Sequence, residues 1–253
     1  MLDAPLGVPT GNIYSMKTIG LLGGLSWESS AEYYRIINQE AQRRLGGVHS
    51  AECLLWSFDF DEIKVLQAAW DWAAATDRMI EAERRLERGG AGCLVICSNT
   101  MHKMAAEVQA AIDIPLLHIA DPTAAAIQAD GLQTIALLGT RYTMEADFYA
   151  GRLRDPFGLT PLVPDEPGRT TVHQIIYDEL VRGIIREESR AAYVQVIDDL
   201  AAAGAQGVIL GCTEIGLLIQ PQHHPLPQYD TTRLHALAAL DWAPLPSSPP
   251  FLK

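Results

Sequence analysis

A chain of 253 residues, 48% apolar and 20% charged, can form one large domain or two small ones and needs no metal or disulfide staple to hold its core. Its formal charge of −12, from 19 basic and 31 acidic residues, argues against a nucleic-acid partner, whose phosphates demand an electropositive face. No apolar run reaches the roughly 18 residues of a membrane helix, so no membrane partner is expected either.

Residues 1–15 lack the basic and apolar regions of a signal peptide, and the proline-rich 244–253 cannot build a core; both read as flexible termini. The expected location is the cytoplasm, where thiols stay reduced, so the four cysteines are not a disulfide framework. No pair has C-x-x-C spacing, and His102 has no further ligand nearby, so no metal is expected.

From Met16 onward, short Leu- and Val-rich runs alternate with Ala-rich helical ones, the pattern of βαβ units and a parallel sheet. Strands are predicted at 17–23, 52–58, 92–97, 115–118, 133–139, 160–163, 206–212 and 226–229. Helices are predicted at 27–45, 69–89, 100–112, 120–129, 143–155, 170–184, 187–203, 213–219 and 231–241. Ser26 fits the N-cap of the first helix. The run 83–90 reads as a solvated helix face closed by glycine.

The chain also repeats itself. The run Thr18–Gly23 recurs as Thr134–Gly139 at an offset of 116, and Gly92–Cys97 recurs as Gly207–Cys212 at 115. Tyr33 and Tyr149 lie 116 apart, each in the helix after the first strand of its half. The expected fold is therefore α/β: two pseudo-symmetric, doubly wound parallel-sheet domains with the active site in the cleft between them. The first half is 16–120 plus 223–243, with the last strand and helix returning to complete it; the second is 121–222.

Both repeats end a strand with cysteine and then open a helix, at Cys97 and Cys212. Free N–H groups and the dipole at a helix start favour a thiolate and can hold a carboxylate. A lone strand-end cysteine more often simply packs. Two at matched points can serve as acid and base on opposite faces of one carbon, which is what racemisation needs. Cys53 and Cys93 have no repeat partner and read as core. His118, at a strand end, and His173, in a later helix, are weaker candidates for the cleft; Arg141 and Tyr142 are placed at the domain junction.

The stretches KTIGLLGGLSWESSAEYYRIIN, CSNTMHK, LLGTRYTMEADFY and GCTEIGLLI resemble the aspartate/glutamate racemase family over Lys17 to about residue 241. The resemblance implies a homodimer that uses no cofactor and acts on a small amino-acid substrate. It implies Cys97 and Cys212 as the catalytic pair. Ser98, Asn99, Thr100, Thr213 and Glu214, with Leu25, would hold the substrate, and Gln67 would help select its side chain. Some aspartate-specific relatives carry arginine at that point, and glutamine cannot neutralise a carboxylate. Activity on both aspartate and glutamate is therefore expected. A maleate-type dicarboxylate isomerase and a hydantoin racemase are the alternatives on the same fold.

Overall fold

The computed structural model describes residues 16–243; the two terminal segments expected to be flexible lie outside them. The first half runs β1 (Ile19–Gly23), α1 (Trp27–Leu45), β2 (Cys53–Ser57), α2 (Phe60–Ala68), α3 (Trp72–Arg88), β3 (Cys93–Ile96), a 3-10 turn (Thr100–Met104), α4 (Ala105–Gln109), β4 (Leu116–Leu117) and α5 (Ala120–Ala129). The second runs β5 (Thr134–Gly139), α6 (Arg141–Glu145), α7 (Asp147–Arg154), β6 (Thr160–Leu162), α8 (Glu166–Asp178), α9 (Glu187–Ala202), β7 (Val208–Gly211), α10 (Ile215–Leu218), β8 (Gln228–Asp230) and α11 (Thr231–Trp242).

Among the described residues these strands form two four-stranded parallel sheets, ordered β2-β1-β3-β4 and β6-β5-β7-β8. The duplication read from the sequence is thus a duplication of topology. Each sheet is covered on both faces, which is why its central strands are apolar throughout. Leu94 and Ile96 of β3 face α3, while Cys93 and Val95 face α1 and α11. Tyr33 and Tyr149, the matched tyrosines, are both fully buried against their sheets. No described helix is long and apolar enough to cross a membrane.

The boundary of the halves differs from the expectation. Residues 223–243 do not all return to the first half: β8 pairs with β7, Ile209 opposite Tyr229, and completes the second sheet. Only α11 crosses over, packing against α1 with Ala236, Ala239 and Leu240 in the first core. Helix α5, which follows β4, crosses the other way and joins the core of the second sheet. The halves therefore exchange their last helices, and α5 and α11 pack on each other where they cross.

Two local readings also shift. Helix α2 was not expected; Asp59 caps it, its side chain accepting from Asp61 N at 3.1 Å, and Asp61 and Glu62 fill the first turn. It stops before Trp70, whose φ of 57° places a bulky residue in the left-handed region. Asp71 then caps α3. Glu83 on α3, read as solvated, is fully buried beside Met79, Ala82 and Leu86, and neither carboxyl oxygen has a hydrogen-bond partner. Ser26 does cap α1, its side chain accepting from Ser29 N at 3.2 Å.

Candidate active site

Residues from both halves converge at the carboxyl ends of the two sheets, where open α/β sheets bind ligands. One cavity there is lined by Leu25, Gln67, Ser98, Asn99, Thr100, Cys212, Thr213 and Glu214. All were singled out from the sequence. The turn carrying Leu25 requires glycine just before it: Gly24 has φ +72°, and a Cβ on it would lie 2.1 Å from Phe58 N.

Cys97 is not part of the cavity. It is fully buried, its N–H still in the β-ladder with Leu22 O (2.9 Å), and its side chain shares the core face of Cys93 and Val95. Burial raises its thiol pKa far above the ordinary value. The strand register explains the correction. Gly20 of β1 is opposite Leu94, and its repeat counterpart Ala136 of β5 is opposite Val208. Carried along the strands, that pairing makes Cys97 equivalent to Gly211 and Ser98 equivalent to Cys212. The sequence match of cysteine to cysteine was out by one residue, and a shift of one moves a strand side chain to the opposite face. The residue facing the cleft from the first half is Ser98, half-buried, its Oγ accepting from Met101 N at 3.4 Å.

Cys212 donates its thiol hydrogen to Glu214 Oε2 at 3.0 Å. Burial is the largest cause of its strongly raised pKa, followed by the charge and hydrogen bond of Glu214; the backbone N–H groups of Glu214 and Thr213 pull the other way. Glu214 Oε2 also accepts from Thr213 Oγ1 (2.6 Å), and its other oxygen accepts from Ser26 Oγ, so the N-cap serine of one half anchors the carboxylate of the other.

Further polar contacts cross the cleft. Thr100 Oγ1 and Thr140 Oγ1 are 2.8 Å apart. Tyr177 OH donates to Gln67 Oε1 (3.1 Å), and Tyr142 OH to Gln67 O (3.3 Å), which places Tyr142 at the domain junction as expected. Asn99 Nδ2 donates to Thr231 Oγ1 (3.0 Å), leaving Asn99 Oδ1 buried and unpartnered. Arginine, lysine and histidine are absent from the described lining. The free space is about 30 Å³, enough for a water or two but not for an amino acid. A substrate therefore enters only if the residues lining the cavity move apart.

The sequence reading missed Phe60, Thr140, Ile176, Tyr177 and Val181. Tyr177 lies one turn beyond His173 on α8, so the right helix was chosen and the wrong position on it. His173 Nδ1 instead accepts from Arg141 N (3.2 Å). His118 faces away from the cavity, toward His102 and Arg152.

Comparison with known proteins agrees with this architecture. The model of the Asp/Glu/Hydantoin racemase family matches residues 22–239. A candidate Asp/Glu racemase from Yersinia pestis superposes with a TM-score of 0.84 at 52% identity, covering 90% of this chain and 99% of its own. An aspartate racemase homologue from Pyrococcus horikoshii gives 0.78 at 30% identity, covering 90% and 99%. The aspartate racemase of Picrophilus torridus, at 19% identity, shares the fold with a TM-score of 0.72 over 90% of this chain and 94% of its own. The chain belongs to the Asp/Glu/Hydantoin racemase family and is an isomerase of the aspartate/glutamate racemase type.

Proposed function

We propose that the protein racemises acidic amino acids, aspartate and glutamate, with Cys212 and Ser98 working on opposite faces of the α-carbon. The observation that carries this reading is the strand register, which sets a hydroxyl and a thiol at equivalent points of the two halves, both lining one cavity. The names of the Yersinia and Pyrococcus proteins support the substrate class.

In this reading Glu214 takes the thiol proton, and the Cys212 thiolate removes the α-proton. The N–H groups of Thr213 and Glu214 favour the thiolate, against the burial and the Glu214 charge that oppose it. Negative charge spreads into the substrate carboxylate, where the hydroxyls of Thr100, Thr140 and Thr213 and the strand-end N–H groups offer hydrogen bonds. The unpartnered Asn99 Oδ1 is an acceptor for the substrate ammonium. Ser98 Oγ returns a proton to the other face, and the N–H of Met101 that it accepts offsets the charge left on oxygen. Gln67 and Tyr177 remain for the side-chain carboxylate, bound by hydrogen bonds without a matching cation.

The test is proton NMR in heavy water combined with chiral chromatography. Aspartate or glutamate should lose its α-proton signal and yield its mirror image with no other product. Cys212→Ala should abolish both. An unchanged α-proton across the dicarboxylic amino acids, or a Cys212→Ala variant of wild-type rate, overturns the proposal.

A further inference from the structure

Behind the Ser98 turn lie three histidines in contact, His102 and His235 buried and His118 half-buried. The His102 ring is 4.7 Å from that of His118 and 5.6 Å from that of His235. His102 comes from the 3-10 turn after β3, His118 from the crossing between β4 and α5, and His235 from α11, just after the crossing back. The cluster therefore touches both places where the chain passes between the halves.

Its hydrogen bonds fix each ring. His102 Nδ1–H donates to Ser98 O at 2.7 Å, and its Nε2 accepts from Ile119 N at 3.2 Å. Both nitrogens are thus assigned, and the ring is neutral. Burial agrees, holding His102 down at about 4. His235 Nε2–H donates to Leu117 O (2.7 Å), and its Nδ1 accepts from Tyr33 OH (2.8 Å). One imidazole, His102, thereby spans from the carbonyl of Ser98 to the first residue of the crossing segment that becomes α5. The second half has nothing comparable: by the same register the counterpart of His102 is Gly216, and Cys212 is held instead by Glu214.

We infer that His102 is a positioning residue for Ser98, tying its hydroxyl to the crossing between the halves so that closure on substrate brings Ser98 to the face opposite Cys212. The inference rests on the racemase reading above. It follows from two observations: the cavity as it stands is too small for a substrate, so the residues lining it must move apart to admit one, and the Ser98 turn is linked through His102 to Ile119, in the segment that crosses between the halves. Misplacing a reacting group by 1 Å can cost about a hundredfold in rate, so the link acts on the Ser98 step and leaves the Cys212 step alone.

The experiment separates the two steps. In heavy water Cys212 alone exchanges the α-proton of the enantiomer it faces, whereas inversion also needs Ser98. The ratio of inversion to exchange is measured for wild type, H102Q and H102N. Glutamine puts its amide where Nε2 was and loses the donor to Ser98 O; asparagine puts its amide nitrogen near the Nδ1 position and keeps it. H102Q should lower the ratio by about tenfold or more while exchange stays within about threefold of wild type. H102N keeps the bond to Ser98 O but loses the acceptor for Ile119 N, so it too breaks the tie to the crossing and should lower the ratio, with exchange again within about threefold of wild type. Equal losses of exchange and inversion in H102Q, or a wild-type ratio, overturn the inference. Should neither variant fold, the ¹⁵N shifts of wild-type His102 decide: an Nδ1–H tautomer supports the link to Ser98, and an Nε2–H tautomer overturns it. A wild type that neither exchanges nor inverts acidic amino acids removes the racemase reading itself, and this role with it.

Discussion

At Ser98 the side chain that meets the cleft is a hydroxyl, a far weaker acid than a thiol, and this makes the two faces of the site chemically unequal. Enantiomers have equal free energy, so kcat/KM must be the same in both directions; the inequality can show only in kcat and in exchange. The enantiomer whose α-proton faces Cys212 should exchange in heavy water faster than it inverts, and its mirror image should exchange no faster than it inverts. Substitution sharpens the point. Ser98→Ala should cut inversion by about 10²–10⁴-fold, the range for a positioned acid or base. Ser98→Cys should raise the exchange of the slower enantiomer, and Cys97→Ala should stay within about threefold of wild type, since Cys97 lies in the core. Proton NMR in heavy water reads the exchange of the three variants and chiral chromatography their inversion, and a Cys97→Ala variant as dead as Ser98→Ala would return the catalytic role to the thiol. The sequence already held the residues of this site: Gln67, Ser98, Asn99, Thr100, Cys212, Thr213 and Glu214 all line the cavity. What it lacked was the register. Identity pulled the two cysteines into alignment, and only the pairing of β1 with β3 and β5 with β7 shows which residue clears the strand.

Among the elements, helices α2 and α3 show why parts of the fold stayed hidden. The segment 60–68 is short and mixed in character, so periodicity gives little signal; its one clear mark is Asp59 followed by Asp61 and Glu62, a capping pattern. Because that helix went unread, Gln67 was placed by resemblance and not by geometry. In α3 the charged run 83–90 looks solvated by composition, yet Glu83 falls on the stripe of Met79, Ala82 and Leu86 that faces the sheet. Burial pushes its carboxyl up to about 9. Between the ordinary value near 4.5 and 9, the folded protein keeps a proton that the unfolded chain releases, so this group costs stability increasingly as pH rises through that window. Glu83→Met, similar in volume, should therefore stabilise the protein by about 5 kcal/mol at pH 8 and by about 1 kcal/mol at pH 5. Urea unfolding at both values reads the difference, and an equal gain at the two would show that the carboxyl is not held neutral.

Across the whole molecule, the exchange of α5 and α11 makes each half depend on the other for a layer of its core. The halves should therefore unfold together, and the histidines at the crossing give that unfolding a pH signature. Burial lowers His102 to about 4, His235 to about 3 and His118 to about 2, with the charge of His102 adding to the last two. Each binds a proton in the unfolded chain near the ordinary 6.5 but not in the folded protein until much lower pH, so each adds stability above 6.5 that is lost as pH falls. Glu83 acts in the opposite sense over the same range. Between pH 6.5 and 5, above the range where ordinary carboxylates titrate, three protons taken up on unfolding by the histidines are set against one released by Glu83. The net uptake of about two protons corresponds to a loss of about 3 kcal/mol per pH unit, to which His173, also lowered by burial, adds on the same side. Urea unfolding curves across that window should show the loss as one cooperative transition for both halves. His118→Leu should flatten the slope by about one proton, and Glu83→Met should steepen it by about one. A stability that holds level from pH 6.5 to 5 would mean that the folded protein takes up protons at the crossing, and the neutral histidine cluster would have to be abandoned.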